Sequence, residues 1–384
     1  MYSLCLDCGA TNVRAMVVDE QGVIVGKASQ PNATLPGEEN PEFHVWDADR
    51  IFRQLSECAV KALEGLNAEQ VTAVTITTFG VDGALVDDAG NLLYPVISWK
   101  CPRTAEVMKN IGKYISQEEL NRISGVGAFA FNTIYKLVWL RENHPELLEK
   151  AHAWLFISNL LAYVDAGETI GLLTPEAADA MNLPALAGIP VISAGHDTQF
   201  AIFGSGADKN QPVLSSGTWE ILMARSAQAR LAREDYEDGA TAEFDAESGI
   251  LNPGLQWLGS GIIEWVKAAC FHGESYDTMD AEAAAVPPGC DGVTMVPDFL
   301  ASGDRKGSIN GLVLGRTRGH IYRAAMEALT WRLKSRLRRL ESVGGFKSEF
   351  LILVGGGARN RVWTQMRADI LRIPVKVSEV SEST

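Results

Sequence analysis

The chain has 384 residues, enough for two or three domains of about 150 residues each. Its 46% hydrophobic and 21% charged composition excludes a disordered or collagen-like protein. With 34 Lys and Arg against 48 Asp and Glu the net charge is −14, so counterion release gives no general affinity for nucleic acid, and an anionic membrane is not an expected partner.

A phosphate handled by so acidic a chain has to be held by local backbone donors and a metal, against the overall field. Met1 to Asp7 contains no basic segment and reaches an acid at the seventh residue, so no secretory leader is predicted. The longest apolar stretch, Ala151 to Val164, is interrupted by His152, Ser158 and Asn159 and falls short of a membrane span. The six cysteines are scattered, unlike a secreted disulfide framework. Cys5 and Cys8 match C-x-x-C, but on a strand residues three apart face opposite sides, so no zinc or redox role is assigned. These readings predict a cytoplasmic protein.

In chain order, Ser3–Asp7, Val13–Val18 and Val23–Ala28 read as strands joined by turns too short for crossover helices, hence a meander of hairpins. A helical segment from about Asp47 to Leu66 and a strand at Val71–Thr77 begin an α/β alternation. Leu92–Ser98 and Ile189–Ile192 read as further strands. The segment Leu6–Met16 finds an echo in Leu214–Met223, each a strand, a small polar turn with Gly and Thr, and an apolar strand. Two related domains are therefore expected, 1–206 and 207–384, with the boundary in the polar loop Gly204–Gln211. Ile321, Ala325, Leu329, Leu333 and Leu337 mark a long amphipathic helix whose basic side (Arg332, Lys334, Arg336, Arg338, Arg339) is expected to be solvated. Strand Glu349–Val354, a turn Gly355–Ala358, helix Asn360–Leu371 and strand Pro374–Val377 complete an α/β unit.

Three strand-end turns carry carboxylates. In Asp7–Arg14 a glycine lets backbone N–H groups approach an anion, and Asp7 is placed to hold Mg²⁺ through water. In Ser193–Thr198, Asp197 follows a strand and a glycine, a place suited to accepting a substrate hydroxyl proton. His196 is adjacent, but consecutive side chains diverge, so the two are not paired as a dyad. Thr77–Gly83 presents Asp82 to a polyol, and Trp99, Lys100 and Arg103 could wall a polar pocket. Each of these also reads as an ordinary turn or core position, because turns favour the same residues.

Taken together, Asp7–Arg14, Gly195–Thr198, Ser215–Trp219 and Gly355–Asn360 resemble, in order, the motifs of the FGGY carbohydrate kinases. Phe131–Asn143 resembles the first signature of that family, and the segment from Gly307–Leu312 to His320–Glu327 the second. The resemblance implies an α/β fold of two ribonuclease-H-like, actin-like ATPase domains facing across a nucleotide and sugar cleft. It implies ATP and Mg²⁺ as cofactors and a small-molecule ketose as partner; a homodimer is left open. Asp197 would be the catalytic base and Asp7 the metal residue. Gly9, Ala10, Thr11, Asn12, Arg14, Gly217, Thr218, Gly356, Gly357 and Asn360 would bind ATP. Gly80, Asp82, Trp99, Lys100, Arg103, His196 and Asn252 would bind the sugar. Within the family, Thr77–Asp88 and Pro95–Thr104 look most like members acting on L-fuculose, with L-rhamnulose next.

Relative to the family pattern the chain is short at the 163–164 junction and stops in mid-unit at Thr384, which reads either as a shortened variant or, the favoured expectation, as residues missing at both places. A dinucleotide-dependent oxidoreductase fails on spacing, since G-x-G-x-x-G would need glycine where Asn360 stands. A non-catalytic sugar sensor of the same fold stays as the alternative, with the retained Asp7 and Asp197 against it.

Overall fold

In the computed structural model, which describes residues 1–162, 169–245, 247–299 and 306–378, the N-terminal meander forms as predicted from β1 (Tyr2–Cys8), β2 (Asn12–Asp19) and β3 (Ile24–Pro31). The 163–164 junction and the end at Thr384 lie outside the described residues. Two units divide the chain, one of Met1–Leu120 and Ala128–Phe200, the other of Asn121–Gly127 and the chain from Ala201 onward.

In the first unit, helix α1 (Ala48–Ala62) follows the meander and starts where the Asp47 side chain accepts from Arg50 N. Strands β4 (Val71–Thr78), β5 (Thr169–Leu172) and β6 (Pro190–His196) complete a six-stranded sheet in the order β5-β6-β4-β1-β2-β3. β1 and β4 are parallel, as are β4 and β6, while β5 joins antiparallel. Leu4, Leu6, Val13, Ala15 and Val17 pack against Ile51, Leu55, Cys58 and Ala59 of α1, so alternate residues of the strands enter the core. Helix α2 (Thr133–Asn143) carries the first family-like signature, and α3 (Asp197–Gly204) starts directly after β6.

The second unit repeats the plan. Strands β7 (Pro212–Ser216), β8 (Trp219–Ala224), β9 (Ala240–Phe244), β10 (Leu251–Leu258), β11 (Leu351–Val354) and β12 (Val375–Val377) form a sheet in the order β9-β10-β8-β7-β11-β12. Again an antiparallel meander hands over to parallel strands, and the central hairpin is the echo seen in the sequence. Helices α4 (Ser260–Cys270), α5 (Tyr276–Ala284), α6 (Arg318–Gly344) and α7 (Arg361–Leu371) cover it, with Leu329, Leu333 and Leu340 of α6 against Leu214, Leu222 and Trp257.

Two expectations are corrected. Leu92–Ser98 is broken: Leu92 makes a single bridge to Val86 and a strand ladder forms only at Val96–Ile97, because Pro95 lacks the N–H a continuous ladder needs. The basic side of α6 is solvated at Arg338 but ion-paired elsewhere: Arg332 Nη2 meets Asp298 Oδ1 at 2.5 Å and Arg336 Nη1 meets Asp238 Oδ2 at 3.2 Å. Lys334 Nζ donates to Ile370 O at 2.6 Å. No helix among the described residues is long and apolar enough to cross a membrane.

Close packing of β3 on α1 gives a direct test. A Cβ on Gly26 would lie 1.9 Å from Ala62 O, a backbone atom that cannot swing away. Gly26→Ala is expected to destabilise the protein by about 1–3 kcal/mol in urea unfolding. Gly112→Ala, with nothing within 4 Å of its Cβ, should leave the midpoint essentially unchanged.

Candidate active site

Register decides which carboxylates meet in the first unit. Asp7 pairs with Thr77 and Cys8 with Thr78 between β1 and β4, while Gly195 and His196 pair with the same two threonines between β4 and β6. The carboxyl ends of three parallel strands therefore lie level, the edge at which open α/β sheets bind ligands. Asp7 is 2% exposed at this edge, and Asp197 opens α3 one residue beyond it, accepting from Thr198 Oγ1 at 3.1 Å. The buried thiol of Cys8 reports the convergence. Burial pushes it well above its ordinary value, and the negative charges of Asp7, Asp197 and Asp82 push it further. His196 is placed by its backbone alone; its side chain lies outside the described residues.

The turn between β1 and β2 is held through its carbonyls. Asn32 N donates to Thr11 O at 2.7 Å, Asn32 Nδ2 to Gly9 O at 2.9 Å, and Lys100 Nζ to Ala10 O at 3.4 Å. All three carbonyls of the turn, those of Gly9, Ala10 and Thr11, are therefore taken up by other segments. Gly9 is required there, since a Cβ would sit 2.7 Å from Asn12 O. At the hairpin base Arg14 Nε lies 3.2 Å from Asp7 Oδ2, which adds positive charge at the same edge.

Asp82 is fully buried at the heart of a polar cluster. Its Oδ2 accepts from Trp46 Nε1 at 2.6 Å and from Trp99 N at 3.0 Å, and its Oδ1 pairs with the equally buried Lys136 of α2. Burial raises the carboxyl above its ordinary value, and Lys136, Trp99 N and Trp46 draw it back toward the ionised form. Lys136 Nζ also donates to Val81 O at 2.9 Å, as does Thr133 Oγ1 at 2.9 Å. Val81 stands at φ 63°, with Asp82 N donating to Gly80 O at 2.9 Å across it. A β-branched residue in the left-handed region is strained, so α2 supplies the bonds that hold this turn.

Both Asp82 oxygens are thus engaged by the protein, which corrects the expectation of an acceptor open to sugar hydroxyls. The carboxylate acts on its surroundings by fixing the Trp99 backbone beside Lys100. Lys100 Nζ lies 5.4 Å from the ring centroids of both Trp46 and Trp99, and partial burial lowers its pKa from the ordinary lysine value. Arg103 is corrected as well. Its guanidinium lies 4.0 Å from the Phe43 ring centroid and 4.7 Å from that of Trp139, and donates to Tyr94 Oη at 3.0 Å. It packs inside an aromatic cluster and does not wall a pocket.

In the second unit, Gly217 and Thr218 form the β7–β8 turn, whose carbonyls accept from Gly259, Ser260 and Gly261 at the start of α4. Because β7 and β11 are parallel neighbours, the Gly355–Gly357 turn lies against it; a Cβ on Gly357 would come 2.1 Å from Ser216 Oγ. Asn360 caps α7, accepting from Trp363 N at 2.8 Å, and its Nδ2 donates to Asp280 Oδ1 at 2.8 Å and to Tyr322 Oη at 3.0 Å. Its side chain is committed to the fold, a departure from the expected adenosine contact. Asn252 is fully buried on β10 of the second unit and hydrogen-bonds Asp245.

Sequence reasoning passed over Trp46, Asn32, Glu220 and Arg367, and quoted Lys136 only as part of a signature. Lysine inside the apolar run Ile134–Leu140 was the one available signal. The described residues contain no cluster of three or more His, Cys, Asp or Glu able to hold a metal ion unaided.

Two ribonuclease-H-like sheets, each with a glycine turn at its central hairpin, and carboxylates at the parallel strand ends define a phosphotransferase of the actin-like ATPase class. The N-terminal domain of the FGGY family of carbohydrate kinases matches residues 2–164 and the C-terminal domain residues 213–384, and the chain belongs to that family. It is 48% identical over 426 residues to the L-fuculokinase of Escherichia coli strain K12, covering 99% of this chain and 89% of that protein. With the L-fuculokinase of Haemophilus influenzae it shares 38% over 437 residues, covering 100% and 92%. The aligned lengths exceed the 384 residues here, so both relatives carry segments this chain lacks. The crystal structure of xylulose kinase from Rhodospirillum rubrum superimposes with a TM-score of 0.81 at 21% identity, over 100% of this chain and 88% of that one, and shares the fold.

Removing the counter-charge of Asp82 should be costly. Lys136→Met leaves a buried carboxylate unpaired and is expected to lower stability by about 3–5 kcal/mol in urea unfolding. Asp82→Leu combined with Lys136→Met should recover much of that loss, since no charge then remains buried.

Proposed function

We propose that this carbohydrate kinase transfers the γ-phosphoryl group of ATP to the 1-hydroxyl of L-fuculose. The observation that carries the sugar is the nearly full-length likeness to the two L-fuculokinases, at 48% and 38% identity. The convergence of Asp7, Asp82 and Asp197 around Cys8 supports the chemistry.

In this reading Asp197 accepts the proton of the sugar hydroxyl as the new P–O bond forms. The amides of Gly9, Ala10 and Thr11, with Asn12 and Arg14, meet the phosphate oxygens, and within the second unit Gly217 and Thr218 are read as the corresponding ATP-binding turn. Gly356 and Gly357 leave room for the adenosine; a Cβ on Gly356 would meet nothing within 4 Å. Asp7 would hold Mg²⁺. The residues fit that ion, which takes one or two protein carboxylates and completes its shell with water and phosphate oxygens. When bound it would neutralise charge on the β- and γ-phosphates. Lys100, tied to both the Ala10 carbonyl and the Trp99 wall, sets sugar and phosphate in one frame. Phosphoryl transfer asks chiefly for such positioning and charge stabilisation. The assembly works in the cytoplasm on a small sugar.

Asp197→Asn is expected to lower kcat by roughly 10²–10⁴ while ATP binding persists, measured by ADP release and by titration with a non-hydrolysable analogue. Turnover within tenfold of wild type would remove Asp197 from the role of base. Asp7→Asn should shift the Mg²⁺ dependence of the rate to higher concentration, and an unchanged titration would move the metal elsewhere. For the sugar, kcat/KM for L-fuculose should exceed that for L-rhamnulose, D-ribulose and D-xylulose by roughly 10- to 150-fold. A tenfold advantage for any of the other three would overturn the substrate and leave the kinase standing.

A further inference from the structure

A second buried ion pair, in the unit that carries Gly217 and Gly356, takes no part in the chemistry described above. Glu220 on β8 and Arg367 on α7 are both fully buried. Arg367 Nη2 donates to Ser216 Oγ at 2.9 Å and pairs with Glu220 Oε1. Ser216 Oγ in turn donates to Glu220 Oε1 at 3.1 Å, and Trp257 Nε1 donates to Glu220 Oε2 at 2.9 Å. The guanidinium carbon lies 3.8 Å from the Trp363 ring centroid, and Trp363 Nε1 is itself bonded to Thr330 Oγ1 of α6 at 3.0 Å. Glu220 has no freedom to withdraw, because Gly259 packs so closely that a Cβ there would stand 2.4 Å from Glu220 Cγ.

As a stabilising device this arrangement is poor. Two charges are removed from water, and Arg367 Nε and Nη1 are buried with no hydrogen-bond partner. Apolar residues of similar volume would serve the core as well or better. What the pair does achieve is local. Ser216 is the last residue of β7, directly before Gly217 and Thr218, and it is also the surface on which the other glycine turn rests. A Cβ on Gly355 would come 2.8 Å from Ser216 O, and one on Gly357 2.1 Å from Ser216 Oγ. One serine therefore touches both turns, and the ion pair holds its hydroxyl.

We propose that Glu220 and Arg367 are positioning residues for the nucleotide, a clamp that holds Ser216 so that the Gly217–Thr218 turn and the Gly355–Gly357 turn keep a fixed spacing. The proposal rests on the reading of those turns as the sites for the ATP phosphates and adenosine. Neither residue touches the nucleotide; both act through Ser216. The clamp links three elements, β8, α7 and the end of β7, so helix α7 and the phosphate turn are held as one piece. It makes ATP binding, and not sugar binding, the quantity that depends on the pair.

The test uses the full chain, with the wild type beside three variants. Glu220→Leu with Arg367→Met replaces the pair by apolar groups, Ser216→Ala removes the clamped hydroxyl and leaves the pair, and Thr218→Val alters the turn itself. KM for ATP, KM for the sugar, Kd for a non-hydrolysable ATP analogue and the Tm are measured for each. The double variant and Ser216→Ala are expected to raise KM for ATP and Kd for the analogue about tenfold, the scale of one lost hydrogen bond to a charged group. The sugar KM should stay within about twofold and Tm should fall only modestly, because the apolar exchange leaves no buried charge and strands only the Trp257 and Ser216 donors, while Ser216→Ala takes one hydrogen bond from Arg367. Should the double variant not fold, Ser216→Ala carries the same expectation. Unchanged nucleotide affinity in a folded variant, or equal losses in sugar KM and nucleotide KM alongside a large drop in Tm, overturns the clamp. If Thr218→Val weakens the nucleotide while the clamp variants do not, the clamp alone is wrong. If Thr218→Val also leaves the nucleotide untouched, the reading of the turns fails and the clamp falls with it.

Discussion

In-register parallel pairing of β1, β4 and β6 is the constraint from which the candidate site follows. Asp7, Thr77 and Gly195 are distant in the chain, and only the hydrogen-bond ladders bring them level. Strands in a sheet stand about 4.8 Å apart, so two steps across this edge carry the chain about 10 Å from the Asp7 turn to the strand preceding Asp197. Register is protected by burial: a one-residue slip of β1 would send Leu4 and Leu6 out of the core and turn Asp7 to the other face.

Among the described residues each unit holds a fully buried ion pair, and both pairs secure a turn. Lys136 grips the Val81 carbonyl and Asp82 together, while Arg367 grips Ser216 and Glu220. In both cases a long cationic side chain reaches from a helix to the end of a strand, where the backbone leaves regular structure. Burial works against the charged forms of Asp82, Lys136 and Arg367, so the pairs hold only while all their bonds are made.

The two sheets share an antiparallel meander that gives way to parallel strands, and each central hairpin ends in a Gly-Thr or Gly-Ala-Thr turn. The common plan explains why a glycine turn stands at the same place in each sheet. It does not extend to the details: the carbonyls of the first turn are held by Asn32 and Lys100, those of the second by the start of α4. Within the first unit the hairpin and its neighbours make a rigid floor, and the more irregular walls around Trp99 are tied to it through Asp82.

Much of this was legible in the residues themselves. Apolar alternation located β1, β2 and β4, glycine and small polar residues located the turns, and the spacing of Leu329, Leu333 and Leu337 located α6, because these signals arise between neighbours in the chain. The family motifs added the strand-end carboxylates Asp7 and Asp197. Tertiary structure decided the rest. Asp82 and Arg103 looked like pocket residues, yet Lys136, Trp46 and Trp99 complete one and Phe43, Tyr94 and Trp139 enclose the other. The basic side of α6 looked solvated, yet Arg332 and Arg336 are met by Asp298 and Asp238. Glu220 and Arg367 carried no local signal at all. A side chain's place on a strand or helix is set by period and turn chemistry, which a sequence contains. The partner of a buried charge is set by which distant segment packs over it, and that is decided only when the core closes.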